Sequence, residues 1–323
     1  MQPIIPERYG PRMLRAVVVS NMLPDADHPE RGRFVRDQVG ALRALPELTD
    51  MEIELYEFPP GARALSKAAR DLRKRYRGER LDVVHAHFGL SAWPALTVHA
   101  KARALTLHGS DIHHPRTRTA TRAVLPLMDL VAAASAPLAA DIPGARARRR
   151  AMVLPCGVDV GRFRPIPRAQ ARTELGLDPD TPHLLFPADP ARTSKRFDRA
   201  QALAKKTSLL TLGGIDPTRV PLLINAANAV ILPSEREGFG LAVLEALACD
   251  VPVLATPVGV HPEVLAGLAG TLCAPFDLAI WQAALEPLLH HEDPRVAGRQ
   301  RVEPFSAERM ARRVAAAWRA LQT

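Results

Sequence analysis

Residues 231–262 read ILPSEREGFGLAVLEALACDVPVLATPVGVHP, and the fold follows from how that stretch is punctuated. The apolar run Ala229-Val230-Ile231-Leu232 stops at Pro233, as a strand buried on both faces does. An acidic turn leads to Gly238-Phe239-Gly240, and then Leu241, Leu244, Leu247 and Ala248 recur at helical spacing. Asp250 and Pro252 end that helix before a second apolar strand, Val253-Leu254-Ala255. Strand, glycine turn, helix and strand make half of a parallel α/β unit. The turn falls at the carboxyl end of its strand, where open α/β sheets bind ligands.

Two acids frame the turn. Glu237 stands just before the helix and Glu245 about two turns inside it. Glycine lets backbone approach a ligand closely, and the free N–H groups of a helix start favour an anion. A phosphate at Gly240 and Leu241 leaves Glu237 near whatever hangs from one side of it and Glu245 near what hangs from the other. A carboxylate can accept two hydroxyl protons at once, so each acid suits a vicinal diol. A ligand with hydroxyls on both sides of a diphosphate is a nucleotide sugar.

The segment PSEREGFGLAVLEALA, followed by VPVLATPVG, resembles the signature of retaining family 4 glycosyltransferases of GT-B fold. The resemblance implies an α/β chain of two Rossmann-like parallel-sheet domains facing a cleft. It gives Glu237 the donor-sugar hydroxyls, Glu245 the ribose, and the turn residues Gly238, Phe239, Gly240 and Leu241 the sugar and phosphates. Lys195 matches the family's phosphate-clamping lysine. Asp189-Pro190 stands where the family has an arginine, which leaves Arg192 or Arg196 to supply the guanidinium. Gly32 matches the glycine that follows the first strand. His108-Gly109-Ser110-Asp111 is similar to the family's H-G-x-D, which puts His108 opposite the donor sugar and Asp111 on the acceptor side. His108, Lys195 and Glu237 are the expected catalytic set. The expected co-substrate is a UDP- or GDP-linked sugar, with no cofactor and no metal. The acids Asp25, Asp27, Asp178 and Asp180 read as turn and cap residues.

The expected boundaries are 1–163 for the acceptor-side domain, after a tail over 1–13, and 164–323 for the nucleotide-sugar domain. A final amphipathic helix, 305–321, crosses back onto the first domain. Only forty-one residues separate Lys195 from Glu237, so the second domain is short by about one strand–helix unit. The short basic stretch Arg146–Arg150 reads as a loop.

With 323 residues, 47% apolar, the chain is long enough for two cores. No run is long and apolar enough to span a membrane, and three scattered cysteines suit a reducing cytoplasm. The net charge of +9 is uneven: +8 lies in residues 1–163 and +1 in the remainder. The basic half implies an anionic partner. Arg63, Lys67, Arg70, Lys74 and Arg77 form a helical stripe, either a solvated face or a contact with an anionic membrane. The stripe has no interleaved aromatics, which argues against nucleic acid. A carbohydrate or lipid-linked acceptor of the cell envelope is expected, with the enzyme cytoplasmic or peripheral on the inner membrane face. Two rival readings remain: an epimerase or phosphorylase of the same fold, and a non-catalytic sugar-nucleotide-binding or scaffold subunit.

Overall fold

A computed structural model describes residues 13–205 and 207–322; most of the expected N-terminal tail lies outside them. Two all-parallel sheets are present. The first contains β1 (Leu14–Ser20), β2 (Met51–Glu57), β3 (Leu81–His87), β4 (Ala100–Leu107), β5 (Leu130–Ala133) and β6 (Met152–Val153), in the order β2-β1-β3-β4-β5-β6. The second contains β7 (His183–Phe186), β8 (Ser208–Thr211), β9 (Ala229–Leu232), β10 (Val253–Ala255) and β11 (Leu272–Cys273), in the order β11-β10-β9-β7-β8. β9 is apolar throughout, and both β3 and β9 are buried along their whole length, as in a parallel sheet covered on both faces.

Strand order reverses between β1 and β3 in one sheet and between β7 and β9 in the other. Crevices open at such points, beyond the carboxyl ends of the strands. The loops after β1, β3, β4, β7 and β9 supply the walls of one cleft between the domains. Arg146–Arg150, expected as a loop, lies in a helical turn over Ala145–Arg150. Alanine and arginine are strong helix formers, and Gly144 takes the positive φ that starts the turn.

The last helix, Ala307–Ala320, returns to the first domain. Its Met310, Val314, Ala317 and Trp318 pack with Val35, Val39 and Leu42 of the Arg33–Ala44 helix on one face of the first sheet. Trp318 is fully buried, and its indole N–H donates to His85 Nδ1 at 3.0 Å. Trp318→Ala, which combines a large cavity with an orphaned imidazole nitrogen, is expected to cost about 3–5 kcal/mol in urea denaturation.

Candidate active site

The central feature of the cleft is an ion pair. β9 ends at Pro233, and the turn that follows carries Glu237. The loop after β7 carries Lys195, held alongside because Glu235 N–H donates to Ser194 O at 2.9 Å. Lys195 Nζ lies 2.6 and 2.7 Å from the two oxygens of Glu237, and Ser234 Oγ donates to Oε1 at 2.8 Å. The side chains are only 12% and 7% exposed. Burial pushes the Glu237 carboxyl up, but Lys195, His261 and Ser234 together hold it below its ordinary value, so it is a carboxylate.

Glycine geometry fixes the turn. Gly240 has φ 99°, and a Cβ there would lie 2.7 Å from His261 Nε2. A Cβ on Gly259, at φ 60°, would strike the Phe239 carbonyl oxygen, and Val260 N–H donates to that carbonyl at 2.8 Å. Phe239 itself is buried, with its ring 6.0 Å from that of Phe305. The Leu241–Ala248 helix therefore starts at Gly240 with no side-chain cap, and Gly240 and Leu241 line the cleft. Free amides at a helix start are an anion site. Across the cleft the Arg33–Ala44 helix also begins uncapped, at Gly32.

The two domains touch backbone to backbone. A Cβ on Gly238 would sit 1.9 Å from the His108 carbonyl, and Ser135 Oγ donates to Gly238 O at 2.7 Å. This contact sets His108 against the glycine turn. Phe34 and Phe88 flank the His108 ring at 4.7 and 4.8 Å between centroids. Phe88 takes φ 70°, a strained conformation for a side-chain-bearing residue at the mouth of a site.

The cleft has a volume of about 760 Å³. Of the residues singled out in the sequence, Gly32, His108, Arg192, Lys195, Glu237, Gly238, Phe239, Gly240 and Leu241 all line it. Three others do not. Arg196 faces away, paired with Asp198 and Glu235 at 2.6 and 2.7 Å, because its backbone turns through φ 58°. Asp111 is buried beneath His108 and accepts from the N–H groups of Gly109 and His108. It holds the turn, and burial lifts its carboxyl to about 6. Glu245 is half-buried outside the cavity lining, near Arg162, Asp37 and Arg33, and desolvation raises it to about 7. Of the D-x-D acids, Asp25 accepts from His28 N–H and pairs with Arg31, and Asp178 accepts from Asp180 N–H and Thr181.

Sequence reasoning assigned no site role to four polar residues. Ser234 and Ser135 were concealed in ordinary turn contexts. His261 donates through Nδ1 to Thr256 O at 2.9 Å, which leaves Nε2 as a buried lone pair beneath Gly240. His87 reaches His108, its Nδ1 2.9 Å from His108 Nε2. A histidine near a glycine turn or at the end of a buried strand was the available signal.

Taken together, the site offers fixed cations and helix-start amides that can meet an anion, a carboxylate that can accept hydroxyl protons, and an imidazole opposite them. Comparison with known proteins agrees. The profile described as Glycosyl transferases group 1 matches residues 189–303, and that of Glycosyltransferase Family 4 matches residues 15–162. A D-inositol 3-phosphate glycosyltransferase of Actinosynnema mirum is 30% identical, over 72% of this chain and 70% of that protein. A protein of the same description from Geodermatophilus obscurus is also 30% identical, over 82% and 72%. Among solved structures, sucrose-phosphate synthase from Thermosynechococcus elongatus superposes with a TM-score of 0.70 at 19% identity, over 96% and 99% of the two chains. The Anabaena protein HepE in complex with UDP-glucose does so at 0.67 and 16%, over 95% and 100%. These likenesses establish the GT-B architecture.

The Lys195–Glu237 pair makes a separable prediction. Lys195→Ala leaves a buried carboxylate unpaired and should cost about 3 kcal/mol. Lys195→Met combined with Glu237→Gln should recover most of that loss in denaturation curves while nucleotide affinity stays low.

Proposed function

This chain belongs to glycosyltransferase family 4, and on that premise we propose that it moves a sugar from a nucleotide diphosphate to a hydroxyl acceptor with retention. One observation carries the reading. The Lys195–Glu237 pair and the uncapped Gly240 helix start converge on one wall of a cleft whose other wall presents His108.

Each group then has a task. Glu237 accepts protons from donor-sugar hydroxyls. Lys195, Arg192 and the amides at Gly240 and Leu241 meet the diphosphate. As the anomeric C–O bond breaks, negative charge grows on the departing phosphate oxygen. Donors fixed in place beforehand stabilise that charge more in the transition state than in the ground state. The acceptor hydroxyl arrives on the face the phosphate leaves, its proton passes to the phosphate oxygen, and the new bond keeps the anomeric configuration. These groups supply the charge neutralisation, and the reading requires neither metal nor cofactor. The acceptor side of the cleft, with Arg31, His28, His113 and His114, suits an acceptor bearing a phosphate. The relatives named for D-inositol 3-phosphate are consistent with such an acceptor.

Binding of UDP- or GDP-sugars in a thermal-shift screen tests the donor, and NMR of the product anomer tests retention. A product of inverted configuration would sink the retaining mechanism. Glu245 adds a pH signature. Its folded value of about 7 lies above the ordinary 4.5. Its protonated form therefore favours the fold, and that contribution is lost as pH rises through about 7. Glu245 sits in the second turn of the helix that opens on the cleft, where a ribose extending beyond the cavity would meet it, and the carboxylate is the form that accepts from a ribose diol. Donor affinity should accordingly rise between about pH 6 and about pH 8, and Glu245→Gln should abolish the rise in calorimetric titrations.

The first domain also suits an anionic envelope surface. Arg146, Arg149 and Arg150 are exposed and form no ion pair among the described residues, and Leu127, Met152 and Val153 are exposed as well. No helix among the described residues is long and apolar enough to cross a membrane. Cosedimentation with phosphatidylglycerol vesicles should occur at low salt and weaken as salt rises. Full recovery in the supernatant at low salt would remove the membrane from this account.

A further inference from the structure

Behind His108 the first domain carries a column of imidazoles that the proposed chemistry does not use. His85 and His87 stack at 4.8 Å between centroids, and His87 and His108 at 5.1 Å with planes 15° apart. His85 and His87 come from β3, and β4 delivers His108. Alternate residues of a strand share one face, which is why His85 and His87 lie side by side.

An indole nitrogen can only donate, so His85 Nδ1 must accept from Trp318 and its proton sits on Nε2. That proton points to Thr106 Oγ1 at 2.8 Å. His85 is thus satisfied by structural partners.

The second chain of contacts leads to the cleft. Gln38, buried on the Arg33–Ala44 helix, places its amide nitrogen 3.1 Å from His87 Nε2. The amide nitrogen donates, so His87 Nε2 accepts and the ring carries its proton on Nδ1. His87 Nδ1 then donates to His108 Nε2 at 2.9 Å. With that nitrogen accepting, neutral His108 must carry its proton on Nδ1. We propose that Gln38 and His87 are positioning residues that fix the tautomer of His108, so that its Nδ1 presents an N–H donor to substrate in the cleft.

The arrangement transmits one choice over two hydrogen bonds. If the Gln38 amide were reversed, each ring would exchange donor for acceptor and His108 would show the cleft a lone pair. Burial also holds all three histidines well below their ordinary values, and His108 at about 3. An imidazole kept neutral in this way is a fixed donor to a sugar oxygen rather than an acid that gives up a proton. The function assigned to that donor rests on the glycosyl-transfer reading; the tautomer does not.

The test is long-range ¹H–¹⁵N correlation NMR on protein labelled with ¹⁵N-histidine, with His108 signals assigned by their loss in His108→Phe. The expected result is a single His108 tautomer protonated at Nδ1, with ¹⁵N–¹⁵N coupling across the His87–His108 bond. In Gln38→Met, which conserves volume, His108 should become a mixture of tautomers while whichever of UDP and GDP raises the Tm of the parent raises it equally in the variant. An Nε2-protonated His108 in the parent protein would overturn the proposal, as would an unchanged tautomer in Gln38→Met. The spectrum of the parent protein decides even if the variant does not fold. Failure of both UDP and GDP to bind the parent protein would count against the glycosyl-transfer reading and leave the tautomer assignment standing.

Discussion

Everything in the second domain that faces the cleft is arranged around a charge pair that water scarcely reaches. Lys195 and Glu237 come from loops after different strands, with forty-one residues between them, and they meet because β7 and β9 are neighbours. A carboxylate removed from water is tolerated only with a close counter-charge and hydrogen bonds for its remaining lone pairs. Lys195 and Ser234 meet that requirement. The same pairing holds a lysine in place beside the turn, so its charge is fixed in the cleft wall before any ligand arrives.

Close backbone approach is the second constraint. The glycines of the turn are required by neighbours that a side chain would strike: the His108 carbonyl for Gly238, His261 for Gly240, and the Phe239 carbonyl for Gly259. The first of these neighbours belongs to the other domain. One glycine therefore sets how near the two walls of the cleft stand to each other. The Ala307–Ala320 helix, packed on the first domain with Trp318 buried, ties the end of the chain to that arrangement.

The local pattern revealed a good deal. The run at β9, the glycine turn and the Leu241–Ala248 helix lie where periodicity and punctuation place them. The Leu278–His290 helix escaped notice because Pro287 interrupts its pattern. Arg196 was a reasonable candidate from its position in the loop, but a single positive φ sends its guanidinium to Asp198 and Glu235. Asp111 follows His108 closely in sequence, and that proximity makes it a brace for the turn rather than part of the cleft wall.

By itself the sequence determined the alternation of strand and helix, the glycine turn, the two acids and the basic bias of the first half, because these depend on neighbours a few residues apart. Only the tertiary structure decided which cations reach the cleft, that Glu245 is desolvated beside Arg162, and that Gln38, His87 and His108 form one hydrogen-bonded line. Those properties depend on burial and on distances between segments far apart in the chain. Spacing along a polymer does not encode them until the sheets have formed and excluded water.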